Sequence, residues 1–444
     1  MMELTNIFSL LGGLALFLYG MTMMSNGLEL AAGNKMKSIL EKLTTNRFLG
    51  VGVGALITAI IQSSSATTVM VVGFVNAGLM QLTNAVWVIM GANIGTTITG
   101  QLIALDITAL APIIAFVGVV LIAFFKSKKL DAFGEIIAGL GILFMGMEMM
   151  STAMIPLRDS PEFASLVANF QNPLIGILVG AVFTAIIQSS SASVGILQAL
   201  AMSGVVTLPS AIYVLFGQNI GTCITAVLAS IGTNRNAKRT TIIHLSFNII
   251  GTIIFVIISM LTPFASFMAS LTPTNPAAQI ANVHTLFNIV TTIILLPIGT
   301  KLVDLSFIIL PEKPELEGKM QLRYLDFGIF TNDYHIGTSA IANTQLFNET
   351  QNMLNVAIDN VIKSFELLIE FKEDKYEKLQ KNEEYINYLN KNIVDFTTNA
   401  ISTEFPIEGS QTIGLFLKIS ADIERIGDHA LNIAQEMTEV RLAE

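Results

Sequence analysis

The chain has 444 residues, of which 52% are hydrophobic and 13% charged, and its formal net charge is −9. A soluble domain carries about 25% charged residues, so this composition excludes an ordinary soluble enzyme and indicates a membrane protein. Charge is unevenly spread: residues 1–310 hold 12 Lys/Arg against 10 Asp/Glu, and residues 311–444 hold 12 against 23. A nearly neutral apolar body precedes an acidic tail, which argues against nucleic-acid binding. The single cysteine, Cys223, lies in an apolar segment, so no intrachain disulfide forms and a Cys-based metal site is disfavoured.

Apolar segments fall at about 5–26, 48–61, 64–80, 84–105, 108–125, 133–152, 174–187, 190–206, 208–230, 241–262 and 283–300. The N-terminus lacks the basic start of a signal peptide, and residues 5–26 read as a retained transmembrane helix. A span needs about 20 apolar residues. Segments 48–61 and 64–80 are shorter, as are 174–187 and 190–206, and each short pair is joined by Gln-Ser-Ser-Ser. Two half-length segments meeting at a polar tip read as a re-entrant hairpin or broken helix, tolerated at membrane depth only where buried in protein or lining a wet cavity.

The first tip, Gln62-Ser63-Ser64-Ser65, lies in Val53–Ala66. That stretch recurs as Val179–Ala192, with twelve of fourteen residues identical, around Gln188-Ser189-Ser190-Ser191. At the same offset, Gly91-Ala92-Asn93-Ile94-Gly95-Thr96-Thr97 returns as Gly217-Gln218-Asn219-Ile220-Gly221-Thr222-Cys223, and Leu14–Leu28 returns as Leu140–Met154. Glycines weaken a helix, so both Asn-Ile-Gly stretches are expected to unwind beside the serine tips. A smaller echo links His244-Leu245-Ser246-Phe247-Asn248 to His284-Thr285-Leu286-Phe287-Asn288.

Basic residues cluster at Lys35, Lys37, Lys42 and Arg47, at Lys126, Lys128 and Lys129, at Arg235, Lys238 and Arg239 in an expected loop 232–239, and at Lys301. Placing these four regions in the cytosol leaves only Arg158 of the body outside, by the positive-inside rule. The first hairpin then enters from the cytosol and the second from outside, so the second copy is inverted. Inverted repeats with discontinuous helices at the midplane mark secondary transporters. The expected organisation is repeat 1 at 1–130, repeat 2 at 131–262, a further membrane helix at 263–310, a linker at 311–338 and a cytosolic three-helix domain at 339–444. In that domain, helices are expected at about 339–371, 375–402 and 409–441. The first carries Ile341, Leu354, Ile358, Val361, Ile362, Phe365 and Ile369 at helical spacing as its core face.

Serine hydroxyls in membrane helices commonly bond backbone or let helices approach. The duplication, the added glutamine amide and the accompanying Asn93 and Asn219 favour a substrate site instead. Half-helix N-termini present free N–H groups and the positive end of the helix dipole, which suits an anion. Hydroxyls that both donate and accept suit one that keeps a proton, such as hydrogen phosphate. No Lys or Arg falls in an expected membrane segment, so countercharge must come from bound cations. Thr58, Thr96, Thr97, Thr184 and Thr222, with Asn93 and Asn219, are hard oxygen ligands suited to Na+. His244 and His284 are either satisfied interior histidines or proton relays. Asn248 and Asn288 either tie helices together or ligate a cation, and Glu148 is interfacial. In the tail, Glu424 and Asp428 share a helix face and could share a divalent metal ion, or form a solvated charged face.

The doubled Gln-Ser-Ser-Ser and Asn-Ile-Gly resemble the type II sodium–phosphate cotransporter family over about residues 5–305. The resemblance implies an all-α polytopic membrane transporter in which Gln62–Ser65 and Gln188–Ser191, with Asn93 and Asn219, contact phosphate and neighbouring Thr and Asn residues hold sodium. Glu424-Arg425-Ile426-Gly427-Asp428-His429-Ala430 is similar to the phosphate-uptake regulator PhoU, a helical-bundle family that binds metal through paired acidic residues; this tail has room for one three-helix bundle. The expected protein is a sodium-coupled phosphate symporter of the bacterial inner membrane, importing by alternating access, with a cytosolic regulatory tail and either a homodimeric or a cytosolic regulatory partner. A phosphate exporter of the same fold and a membrane phosphate sensor are the alternatives. A hydrolase is disfavoured, because no base lies near the serine triplets.

Overall fold

The computed structural model describes residues 4–32, 46–76, 78, 80–105, 107–125, 127–158, 160, 169–311, 320–327, 338–402 and 407–443. Lys35, Lys37, Lys42 and Lys126, on which the orientation partly rests, lie outside these residues, as does most of the expected linker. Among the described residues every regular element is helical, and the protein is an all-α polytopic membrane protein. The chain divides into two units: Met1–Val72, Leu82–Ile231 and Lys238–Leu310 form the first, and Gly73–Gln81, Gly232–Ala237 and Pro311–Glu444 the second.

Along the chain, α1 (Leu4–Ala32), α2 (Arg47–Ile61), α3 (Ser64–Asn76), α4 (Leu82–Ile103), α5 (Ala111–Phe124) and α6 (Lys128–Arg158) precede α7 (Pro173–Ile187), α8 (Ser190–Met202) and α9 (Leu208–Gly221). Then follow α10 (Ile224–Ala229), α11 (Arg235–Leu261), α12 (Phe264–Leu271), α13 (Pro276–Leu295) and α14 (Gly299–Ile309). Among the described residues, six helical stretches are long and apolar enough to cross a membrane: Leu4–Leu28, Leu82–Ile103, Lys129–Leu157, Leu208–Ala229, Arg235–Leu261 and Pro276–Ile309. Helices α2 and α7 have 15 residues each, and α3 and α8 have 13. At about 1.5 Å per residue they fall short of a hydrocarbon core about 30 Å thick.

Local chemistry sets the ends of these short helices. Asn46 Oδ1 accepts from Phe48 N at 2.9 Å to start α2, and Asn172 Oδ1 accepts from Leu174 N at 3.0 Å to start α7, with Pro173 in the first turn. Both helices stop at a glutamine in the left-handed region, Gln62 at φ 59° and Gln188 at φ 60°. These are the two positive-φ non-glycine residues among those described.

The expected unwinding at the Asn-Ile-Gly stretches is corrected in the first copy, where α4 runs unbroken through Gly91–Thr97. In the second copy α9 ends at Gly221, and Thr222 and Cys223 turn before α10. The glycines serve close approach instead: a Cβ on Gly91 would overlap the Val51 carbonyl oxygen, on Gly95 that of Ala55, on Gly217 that of Ile177 and on Gly221 that of Ala181. Gly54 and Gly180 return the contact against the carbonyls of Val88 and Val214. Thus α2 packs on α4, and α7 on α9, backbone to backbone, as small residues permit between membrane helices. The expected loop 232–239 is also corrected. Helix α11 starts at Arg235, and Arg239 is only 1% exposed. Its Nε donates to Leu310 O at 3.0 Å and its guanidinium lies 3.8 Å from the Phe307 ring centroid.

The second unit is built on α15 (Thr338–Ile369), α16 (Glu373–Ser402) and α17 (Ile407–Ala443). Leu346, Met353, Ala357, Ile386, Leu389, Ile393, Phe396, Ile413 and Ile423 form its core. Buried Glu349 holds the segment before α15: its Oε2 accepts from the backbone N–H groups of Arg323, Tyr324 and Leu325 at 2.9, 2.7 and 3.1 Å, which seats Leu325 in the core. Asn76 belongs to this unit too, donating to Asp326 Oδ2 at 3.1 Å and accepting from Asn234 N at 2.9 Å. The expected core face of α15 is a correction: Leu354, Ile358, Ile362, Phe365 and Ile369 are exposed, while Met353, Ala357, Asn360, Ser364 and Leu367 face inward. Hydrophobicity alone selects the exposed stripe, whereas the smaller residues permit the helices to approach. Ile341 is without a described side chain.

Candidate functional site

The two serine tips meet. Ser63 Oγ accepts from Ala66 N at 3.1 Å and Ser189 Oγ from Ala192 N at 3.3 Å, so the first serine of each triplet caps the half-helix that follows it. The next serines face one another, with Ser64 Oγ and Ser190 Oγ 3.3 Å apart. The third serines cross over: Ser191 Oγ donates to Thr99 Oγ1 at 3.3 Å, and Thr225 Oγ1 donates to Ser65 Oγ at 3.2 Å. Ser65 stands to Ser191 as Thr99 stands to Thr225, both at the repeat offset, so the contacts are reciprocal. Thr96 Oγ1 joins at 3.3 Å from Ser190 Oγ.

Thr99 and Thr225 were missed by the sequence reading. The duplicated pairs Ile98-Thr99 and Ile224-Thr225 were the available signal, one turn beyond the motif. All of Ser64, Ser65, Ser190, Ser191, Thr96 and Thr99 are buried. The glutamines differ. Gln62 is buried; its Oε1 accepts from Thr99 Oγ1 at 2.7 Å and its Nε2 donates to Ala59 O. Gln188 has the same backbone conformation but an exposed side chain, so it is not brought to the cluster.

The expected cation ligands also divide. Thr58 Oγ1 donates to Thr67 Oγ1 at 2.9 Å, with both residues fully buried. Their second-copy counterparts, Thr184 and Ser193, are equally buried, yet neither hydroxyl has a hydrogen-bond partner. Gln218 donates through Nε2 to Ser193 O at 3.0 Å, and its Oε1 has no partner. Thr97 and Thr222 donate to carbonyls of their own helices, those of Ile94 and Gln218. Asn93 and Asn219 each bond a carbonyl one turn back through Nδ2, at 2.8 and 3.0 Å, and turn Oδ1 away from that carbonyl. Asn93 Oδ1 accepts from Asn248 Nδ2 at 3.5 Å, and Asn219 Oδ1 accepts from His284 Nε2 at 3.2 Å. An amide oxygen presented in this way suits a cation or a donor rather than an anion.

In the second unit, Glu424 and Asp428 lie one turn apart on α17, with Gly427 leaving room for the carboxylate of Glu383. Glu383 is 3% exposed, and burial first, then the charges of Asp428 and Glu424, push its carboxyl up to about 7. No group of three or more His, Cys, Asp or Glu side chains among the described residues could hold a metal ion. The neighbouring charges of Asp428 and Glu424 raise the proton affinity of Glu383, and the metal expectation gains no support.

A polar cluster of hydroxyls at the start of two half-length helices, inside an apolar helical body, defines a membrane protein with a central polar site. The chain belongs to the Na+/Pi-cotransporter family, whose profile it matches over residues 16–152 and again over 160–295. Residues 350–437 match the PhoU domain. The chain is 25% identical over 438 residues to "Putative inorganic phosphate export protein YjbB" of Escherichia coli (strain K12), covering 98% of this chain and 78% of that protein. It is 33% identical over 300 residues to "Uncharacterized protein YqeW" of Bacillus subtilis (strain 168), covering 67% of this chain and 96% of that protein. It is 37% identical over 98 residues to sodium-dependent phosphate transport protein 2A of Rattus norvegicus, covering 22% of this chain and 15% of that protein. No solved structure matches.

Proposed function

We propose that the protein is a sodium-coupled symporter that imports inorganic phosphate by alternating access, with its C-terminal domain regulating it from the cytosol. The observation that carries this reading is the reciprocal serine–threonine cluster at two half-helix N-termini, with Ser64 and Ser190 3.3 Å apart. First-turn backbone N–H groups and hydroxyls able to donate or accept suit a protonated oxyanion. Ser64, Ser65, Ser190 and Ser191 are its ligands, joined by Gln62, Thr99 and Thr225. Reciprocal contacts are what a two-fold axis produces, and inverted repeats place such an axis in the membrane plane.

Sodium binds near Thr184, Ser193 and Gln218, whose buried oxygens lack partners, and offsets the charge of a phosphate that has no basic side chain among its proposed ligands. The exposed apolar stripe on α15 serves a second copy or a cytosolic regulatory partner. The match to a protein named for phosphate export favours a second reading, in which the same site carries phosphate outward.

Proteoliposomes separate these. An inward Na+ gradient is expected to drive radiolabelled phosphate uptake and a K+ gradient is not; equal uptake in K+ removes sodium from the mechanism. Faster release of preloaded phosphate under an outward Na+ gradient than uptake under the mirrored inward gradient, across vesicles of known protein orientation, favours export.

A further inference from the structure

Helices α11 and α13 each carry a histidine followed one turn later by an asparagine, and each asparagine donates back to its histidine's carbonyl: Asn248 to His244 O at 3.1 Å and Asn288 to His284 O at 3.0 Å. Each asparagine also reaches the repeat asparagine facing it, Asn93 or Asn219, at 3.5 Å. The two copies then differ. His284 Nε2 meets Asn219 Oδ1 at 3.2 Å, and because that oxygen only accepts, His284 carries its proton on Nε2. His244 is 1% exposed, and neither of its ring nitrogens has a partner. Asn248 Oδ1 beside it is also without a partner. A neutral imidazole has one N–H and one lone pair, so the neutral ring leaves both unmet. An imidazolium instead offers two donors to a neighbourhood of amide oxygens.

The groups around His244 decide when that charge is tolerable. Across from it stand Asn93 on α4 and Cys223 at the α9–α10 junction, whose Sγ is 3.4 Å from Asn248 Nδ2. Helix α10 meets α11 through the Thr241–Ala226 bond, α9 through the Thr252–Phe216 bond, and α13 where Gly251 lies against Thr291. Among the described residues, the titratable or charged groups on these elements that face the cluster are Cys223 and His284. On α11 itself Arg239 lies five residues earlier, its cation over Phe307 of α14. No carboxylate is among them, so a buried imidazolium needs an anion brought from outside. Asn93 lies one turn from Thr96, whose hydroxyl is 3.3 Å from Ser190 Oγ at the serine tips.

We propose that His244 is a proton-binding site of the transport cycle, filled when phosphate occupies the serine tips. One proton passes from a hydronium ion to the imidazole lone pair, so an O–H bond breaks as the N–H bond forms and a water molecule is left. The ring then donates to Asn93 Oδ1, as His284 donates to Asn219 Oδ1, and to Asn248 Oδ1. Linkage is reciprocal, so phosphate raises the proton affinity of His244 and the proton raises phosphate affinity by the same factor. The proposal rests on the serine tips being the phosphate site.

The test uses the full chain in weakly buffered proteoliposomes with an entrapped pH dye and radiolabelled phosphate under a fixed Na+ gradient. Wild type is expected to move more protons per phosphate than the ionisation of phosphate accounts for. His244→Gln is expected to move phosphate more slowly, without the excess protons, and with a wild-type-to-variant uptake ratio that changes several-fold between acid and alkaline buffers. His284→Gln is expected to keep the excess. Phosphate movement by wild type with no excess protons overturns the proposal and leaves the phosphate reading standing, as does an undiminished excess in His244→Gln. Failure of wild type to move phosphate overturns both. If His244→Gln does not fold, the wild-type proton count decides.

Discussion

Gln62 and Gln188 hold a left-handed backbone that costs a residue with a Cβ roughly 1–2 kcal/mol, and both keep it. The turn they make ends one half-helix and lets the next begin at the serines, so the strain positions the cluster. Their side chains have diverged, Gln62 into Thr99 and Gln188 outward. Gln62→Ala is therefore expected to lower phosphate uptake more than Gln188→Ala, and equal effects would mean that only the backbone turn matters. Ser65→Ala and Ser191→Ala are each expected to reduce uptake about 10-fold or more, since a hydrogen bond to a charged group contributes about 1.5–3 kcal/mol. Normal uptake in both would return these serines to helix packing. The serines were legible because they recur at a fixed offset. Thr99 and Thr225 recur as well, but a threonine in an apolar helix more often bonds its own backbone, so only the fold shows which ones face the partner copy.

At the scale of elements, the helix pairs α2–α4 and α7–α9 depend on glycines at their crossings. A glycine in a hydrophobic run signals a weakened helix and a close crossing equally well, and sequence alone does not separate them. Here packing holds α4 intact, because the carbonyls of Val51 and Ala55 occupy the space a side chain would need. Gly91→Ala and Gly217→Ala are each expected to force the helices apart at a cost of about 1–3 kcal/mol or more, read as a lower melting midpoint of the detergent-solubilised protein. An unchanged midpoint in both would show that the crossings have slack. Helix α15 carries the same lesson. Its longest apolar stripe reads as core, yet the buried face is built from Ala357, Asn360 and Ser364 between Met353 and Leu367.

For the whole molecule, two units carry different chemistry. In the second, buried Glu349 satisfies three backbone amides with one carboxylate oxygen. Glu349→Ala is expected to destabilise that unit by about 1–3 kcal/mol through unmet amides, seen as faster proteolysis between residues 320 and 444. Glu383 gives the same unit a pH dependence. Its proton affinity is raised in the folded state, to about 7 from the ordinary 4.5 of a glutamate, by burial first and then by Asp428 and Glu424. Stability from this group is thus fully present below about 4.5 and lost as pH rises through about 7. In EDTA, the thermal midpoint of the tail is expected to fall as pH rises from about 5 to about 8, and Glu383→Gln is expected to flatten that slope. An equally steep slope in the variant would assign the pH response elsewhere. Deleting residues 315–444 is expected to leave phosphate transport with altered regulation; complete loss of transport in a folded variant would make the tail part of the transport machinery.

Composition and hydrophobic run lengths determined by themselves that this is a helical membrane protein with a polar tail, because the bilayer sets the length a span must have. The repeated Gln-Ser-Ser-Ser determined that two half-length segments break at polar tips, and the structure breaks both helices there. Tertiary structure alone decided that the tips face each other, that Thr99 and Thr225 join them, and that Asn93 and Asn219 turn oxygens toward α11 and α13. It also decided that the copies differ, with Thr184, Ser193 and His244 lacking partners that Thr58, Thr67 and His284 have. A repeat in the sequence fixes which residue types are available at each tip. Which of them meet depends on how separate helices pack, and the glycines at the α2–α4 and α7–α9 crossings permit that close approach.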